Sequence, residues 1–133
     1  MQVNPHLSFN GNCEAAFRFY EKCLRGELNL MMTYGNSPLA SQTPPAMHGK
    51  IAHATLLLGD YRLTGGDALE ENYRKPQGLS VLLNLDSVAE ADRIFAALAE
   101  RGTVQMPLQQ TFFAQKFGEV TDQFGTPWTI NCH

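Results

Sequence analysis

The order strand, helix, glycine, strand, loop, hairpin runs twice through this chain of 133 residues, and a chain that repeats itself must fold as two matching modules. In the first pass residues 3–9 read as a short apolar strand, broken by Asn10-Gly11-Asn12. Asn12 is a suitable N-cap, because its side-chain oxygen can accept from the unpaired amides of a first helical turn. Cys13, Ala16, Phe17, Tyr20 and Leu24 then recur at steps of three and four as one apolar stripe, and Gly26 behind Arg25 is the expected stop. A strand is predicted over 27–34. Residues 35–49, with Pro38, Pro44 and Pro45, break all periodicity and read as a mobile loop able to serve as a lid. Residues 51–58, Gly59-Asp60 and 61–64 make a hairpin.

The pattern restarts at an apolar strand over 79–85. Ser87 and Glu90 form a capping box, Ala91, Ile94, Phe95 and Leu98 a buried stripe, and Gly102 behind Arg101 ends the helix as Gly26 ended the first. A strand over 103–109 and a loop carrying Phe112 and Phe113 lead to the closing hairpin over 117–131. There Asp122 to Gly125 supplies the turn chemistry, and Trp128 and Ile130 alternate with Thr129 and Asn131 across a pleat. The chain is therefore one α+β domain over 1–133, with module one at about 1–66, a polar linker at about 67–78 and module two at about 79–133. Each module is βαβββ and leaves an apolar face that pairing must cover, so the cavity between two modules is the natural site.

A net charge of −3 offers no basic footprint and excludes nucleic acid as a partner. No run of about eighteen apolar residues and no charged-then-apolar leader is present, so no membrane is implied and a cytoplasmic protein is expected. Cys13, Cys23 and Cys132 are odd in number, widely spaced and without a C-x-x-C pair, which predicts free thiols.

Four stretches carry a family resemblance. They are Pro5-His-Leu-Ser-Phe-Asn-Gly-Asn-Cys-Glu-Ala-Ala-Phe-Arg-Phe-Tyr20, Ile51-Ala-His-Ala54, Gln105-Met-Pro-Leu-Gln-Gln-Thr-Phe-Phe113 and Phe117-Gly-Glu-Val-Thr-Asp-Gln-Phe-Gly-Thr-Pro-Trp128. Together they resemble the PhnB-like branch of the glyoxalase, bleomycin-resistance and extradiol-dioxygenase superfamily, the vicinal oxygen chelate fold. The resemblance implies two tandem βαβββ modules forming a cupped, partly barrel-like mixed sheet, and a homodimer. Sequences of this branch often carry a methyltransferase-like label, yet no Gly-rich strand-to-helix turn that could hold a methyl donor stands in this chain. Where the superfamily's metal enzymes place their ligands, this chain has Pro5 with His6 one residue away, Ser80, Thr129, and Thr64 at or near the fourth place. Hydroxyls and proline bind divalent metal weakly, so neither metal nor other cofactor is expected.

Five residues are candidates for contact with a small organic ligand: His53, Trp128, Phe113, Tyr34 and His6. His53 shares its parity with Ile51, Thr55 and Leu57, which suits a hydrogen-bonded core histidine or a titratable group in the cavity. The aromatics suit a pocket for a flat or apolar molecule, or simply a core. His48 and His133 are expected on the surface, Cys13 as a buried inert thiol, and Asp122 as the residue that fixes the hairpin turn. The expected function is binding of a small molecule without metal. The rival is a metal-dependent lyase or dioxygenase of glyoxalase type using His6 and His53.

Overall fold

Strands and helices form where the periodicity places them, in a computed structural model that describes all 133 residues. The chain divides into two compact units, Met1–Arg74 and Lys75–His133. The first contains β1 (His6–Phe9), α1 (Cys13–Leu24), β2 (Glu27–Thr33), β3 (Ile51–Leu58) and β4 (Tyr61–Asp67). Its sheet runs β1-β4-β3-β2, with β1 parallel to β4 and the other pairs antiparallel. The second contains β5 (Val81–Leu85), α2 (Val88–Ala99), β6 (Thr103–Gln109), β7 (Lys116–Thr121) and β8 (Pro127–Cys132). Its order, β5-β8-β7-β6, repeats the first with the same pairing directions. The duplication and the α+β class stand as read. Neither sheet closes on itself, so the expected partly barrel-like sheet is in each unit an open, four-stranded one.

Both cores follow from alternation. In the first unit Leu7, Phe9, Ala54, Leu56 and Leu63 are buried along with Cys13, Ala16, Phe17, Tyr20 and Cys23 of α1. Cys23 is buried on the same stripe, whereas Leu24, expected there, is half-buried. In the second unit Ala91, Ile94, Phe95 and Leu98 of α2 are buried as the stripe predicts, with Val120, Trp128, Ile130 and Cys132 of the sheet. Ser87 caps α2 by accepting from the Glu90 amide at 3.2 Å.

Other local expectations yield to long-range contacts. Asn12 makes no side-chain cap bond. The carboxylate of Asp67, 54 residues downstream of Cys13, accepts instead from the amides of Gly11 and Cys13, each at 3.0 Å, and from the Ile51 amide at 2.8 Å. Asp67 is the last residue of β4, which runs three residues past the expected strand end, and β1 and β5 begin later than expected. Gly26 and Gly102 also serve a different purpose. The left-handed residues at the two helix ends are Arg25 (φ 55°) and Arg101 (φ 58°), and both glycines allow close approach to backbone. A Cβ at Gly26 would stand 2.7 Å from the Leu57 carbonyl oxygen, and one at Gly102 would strike that of Thr121.

Residues 35–49 are not the structureless loop expected. They fold into two short 3-10 turns, Ala40–Gln42 and Pro45–Met47, and the Gly35 amide donates to the His48 carbonyl at 3.0 Å. His48, expected on the surface, is half-buried, with Nε2 at 3.0 Å from the carbonyl oxygens of both Ala40 and Thr43. No helix is long and apolar enough to cross a membrane.

All three cysteines are buried and free. Burial, followed by the nearby charges of Asp67 and Glu14, pushes the Cys13 thiol up to about 12, so almost no thiolate exists near neutral pH. The native chain is therefore expected to take up no iodoacetamide at pH 8, and three equivalents once denatured. A native adduct on Cys13, read by mass spectrometry, would contradict this.

Candidate functional sites

In the first unit, burial of Leu7 and Phe9 turns His6 and Ser8 to the sheet face opposite, since successive side chains of a strand alternate. Parallel pairing sets His6 beside Thr64 of β4, and the imidazole Nδ1 lies 2.8 Å from the Thr64 hydroxyl. That hydroxyl also donates to the Pro5 carbonyl at 3.2 Å, an arrangement that the Nδ1–H tautomer of His6 satisfies. The lone pair is then left on Nε2. His53 of β3 stacks on the same ring, with centroids 5.9 Å apart and planes inclined by 26°.

Burial, then the charge of His53, lowers the His6 pKa from its ordinary value of 6.5. A folded chain that binds this proton more weakly than the unfolded chain keeps the associated stability above about pH 6.5 and loses it as pH falls. A proton NMR titration should place the His6 midpoint below 6.5 and move it upward in His53→Gln. A midpoint unmoved by that substitution would remove His53 as a cause.

Tyr34, just past β2, is tied down: its hydroxyl donates to the Asp67 carbonyl at 2.7 Å. Burial first, then Asp67 and Cys13, raises its pKa, so it stays a protonated donor.

The second unit carries a cleft of about 630 Å³ on its open sheet face, between the segment leading into β5 and strands β6, β7 and β8. Ser80 and Thr129 meet across its floor with hydroxyl oxygens 2.6 Å apart. Cross-strand register sets Glu119 of β7 directly beside Thr129 of β8, and Gln105 of β6 lines the same space. Glu119, Thr129 and Ser80 thus lie side by side as carboxylate, hydroxyl and hydroxyl, with the Gln105 amide, at a bulge of β6, bordering the same cleft. The buried side of the same strands is held by Asp122. Its carboxylate accepts from the amides of Phe124 (2.8 Å) and Thr126 (3.0 Å) and from the Trp128 indole nitrogen (2.8 Å).

Of the five residues singled out in the sequence, His6 and His53 come together on the first unit's open face. Trp128 contributes to the cleft wall but is only 1% exposed, with its one polar atom bound by Asp122. Phe113 is half-exposed and lies edge-on to Phe112 and Phe117, at 5.0 Å from each. Tyr34 stands apart beside Asp67. Glu119 and Gln105 escaped notice. The signal for them was the alternation of Glu119 and Thr121 with Gly118 and Val120, which marks a strand with one polar, open face. Ser80 and Thr129 attracted notice only as poor metal ligands. No group of three or more His, Cys, Asp or Glu side chains gathers anywhere in the chain.

Residues 1–131 match the family model described as 3-demethylubiquinone-9 3-methyltransferase. Protein YjdN of Escherichia coli (strain K12) is 35% identical over 139 residues, covering 98% of this chain and 95% of that protein. The crystal structure of protein PA1353 from Pseudomonas aeruginosa is 46% identical, with a TM-score of 0.92 over 100% of this chain and 98% of that one. The putative 3-demethylubiquinone-9 3-methyltransferase, PhnB protein, from Bacillus cereus is 25% identical, with a TM-score of 0.84 and full coverage of both chains.

Proposed function

We propose, on the premise that this chain belongs to the 3-demethylubiquinone-9 3-methyltransferase family, within the PhnB-like branch of the glyoxalase, bleomycin-resistance and dioxygenase superfamily, that it binds a small organic molecule without a metal ion. The observation that carries this reading is the second unit's cleft, whose volume falls in the usual range for small-molecule sites and whose floor sets several hydrogen-bonding groups side by side. Fold membership alone assigns no reaction.

The metal-free part of the reading rests on the donors at the superfamily's ligand positions. In the first unit these are Pro5, which offers no side-chain donor, with the His6 imidazole one residue away and the Thr64 hydroxyl bonded to it, and in the second the Ser80 and Thr129 hydroxyls bonded to each other. One imidazole and three neutral hydroxyls do not fit a divalent ion, which needs about three strong donors. The second reading, a metal-dependent lyase or dioxygenase, draws on one observation: the two imidazoles of His6 and His53 share a sheet face.

Amide shifts in two-dimensional NMR test the first reading. A small-molecule screen should yield compounds that move the Ser80, Glu119 and Thr129 amides, and a screen that moves none of them would overturn it. Dialysis against zinc, nickel, iron or manganese should leave well under one ion per chain. Stoichiometric metal that disappears in His6→Ala would favour the second reading.

The same proposal includes a cytoplasmic homodimer. Leu79, Leu82, Val104, Phe112 and Phe113 are 43–101% exposed in the second unit, apolar surface that a second copy of the chain would cover. Sedimentation at micromolar concentration that gives only monomer would remove the dimer.

A further inference from the structure

We propose that the second unit's cleft selects a polyhydroxylated amine, a molecule with a protonated amino group beside several hydroxyls. This rests on the reading of the cleft as a small-molecule site and adds the chemistry of its ligand.

The argument starts from Glu119. Its side chain stands on the open face between Thr129 on β8 and Met106 on β6 and is half-buried, yet its carboxylate has no hydrogen-bond or ion-pair partner. The other charge lining the cleft, Lys75, is exposed at the segment leading into β5 and forms no ion pair with it. A ligand entering the cleft displaces water from this carboxylate. A neutral or anionic group placed there would leave the charge desolvated and uncompensated, whereas an ammonium restores both the charge balance and the hydrogen bonds.

The rest of the floor decides what carries the ammonium. Ser80 and Thr129 share one hydrogen bond, which uses one of their two hydroxyl protons and leaves the pair able both to donate and to accept. Gln105 adds an amide with the same double capacity. An apolar cation such as an alkylamine would strip water from these groups and return nothing. Ligand hydroxyls, which also donate and accept, match them one for one. A carboxylate with a hydroxyl pair beside it thus calls for an amine next to a polyol chain.

Three probes that share one carbon chain test this in the intact protein: glucamine, its neutral twin sorbitol and its anionic twin gluconate. Binding followed by the Glu119 and Thr129 amide shifts should be at least about ten-fold tighter for glucamine than for sorbitol, and weakest for gluconate. Added sodium chloride should shrink the first difference, since a half-exposed ion pair is screened. Glu119→Gln keeps the shape and should bring glucamine down to the level of sorbitol. Thr129→Val should weaken glucamine and sorbitol alike. Equal binding of all three, a preference for gluconate, or a glucamine affinity unchanged in Glu119→Gln would overturn the proposal. So would apolar compounds moving the cleft amides while none of the three probes does, and that outcome would leave the small-molecule reading standing.

Discussion

Asp122→Ala should destabilise the chain by about 3–5 kcal/mol, since three donors that are now paired would be left without an acceptor, at about 1–3 kcal/mol for each one that stays buried. Those donors are the Phe124 and Thr126 amides and the Trp128 indole nitrogen, and Asp122 itself is 4% exposed. The turn from β7 to β8 is built on this one carboxylate, because the Asp122 amide also donates to the Thr126 carbonyl at 2.9 Å and the chain reverses around it. Asp122→Asn separates the contributions. It keeps one oxygen for the two amides but sets an NH₂ group against the indole N–H, so a smaller loss with a changed Trp128 fluorescence is expected. Urea unfolding reads both variants. An alanine variant within 1 kcal/mol of the parent would show that water replaces the carboxylate at no cost and that the turn does not depend on it.

The architecture was legible in the sequence because each module repeats a local grammar. The α2 stripe of Ala91, Ile94, Phe95 and Leu98 and the cap at Ser87 involve residues a turn or two apart, where periodicity and capping rules apply directly. Groups that act across the fold left no local trace. Asp67 caps α1 in place of Asn12 from 54 residues away, and only the folded sheet brings the end of β4 to the start of that helix. Gly26 reads as a helix stop by position, but its need for a bare Cα comes from the β3 backbone beside it. In the loop over 35–49 prolines and small polar residues suggest disorder, whereas the His48 side chain reaches back to two carbonyls and closes the loop on itself. The sites divide in the same way. His6 and His53 attracted notice because imidazole is chemically conspicuous. Glu119 on an ordinary strand became conspicuous only when register set it beside Thr129 and the Ser80 hydroxyl.

Asp67→Ala should cost at least as much as Asp122→Ala, about 3–5 kcal/mol or more, because the carboxylate it removes joins three separate segments of the first unit. Oδ1 takes the Gly11 and Cys13 amides before and at the start of α1, and Oδ2 takes the Ile51 amide that opens β3. Two of these donors belong to the end of a helix whose unpaired amides carry a partial positive charge, so a full negative charge there stabilises more than a neutral acceptor would. Asp67→Asn should therefore lose both the helix-end charge and the Ile51 bond, and fall well below the parent while staying above alanine. Hydrogen exchange locates the damage: the Gly11, Cys13 and Ile51 amides should exchange much faster in either variant, and the Tyr34 hydroxyl, bonded to the Asp67 carbonyl at 2.7 Å, should loosen with them. If asparagine proves as stable as aspartate while those amides stay protected, the charge contributes nothing, and Asp67 acts only as a hydrogen-bond acceptor at the head of α1.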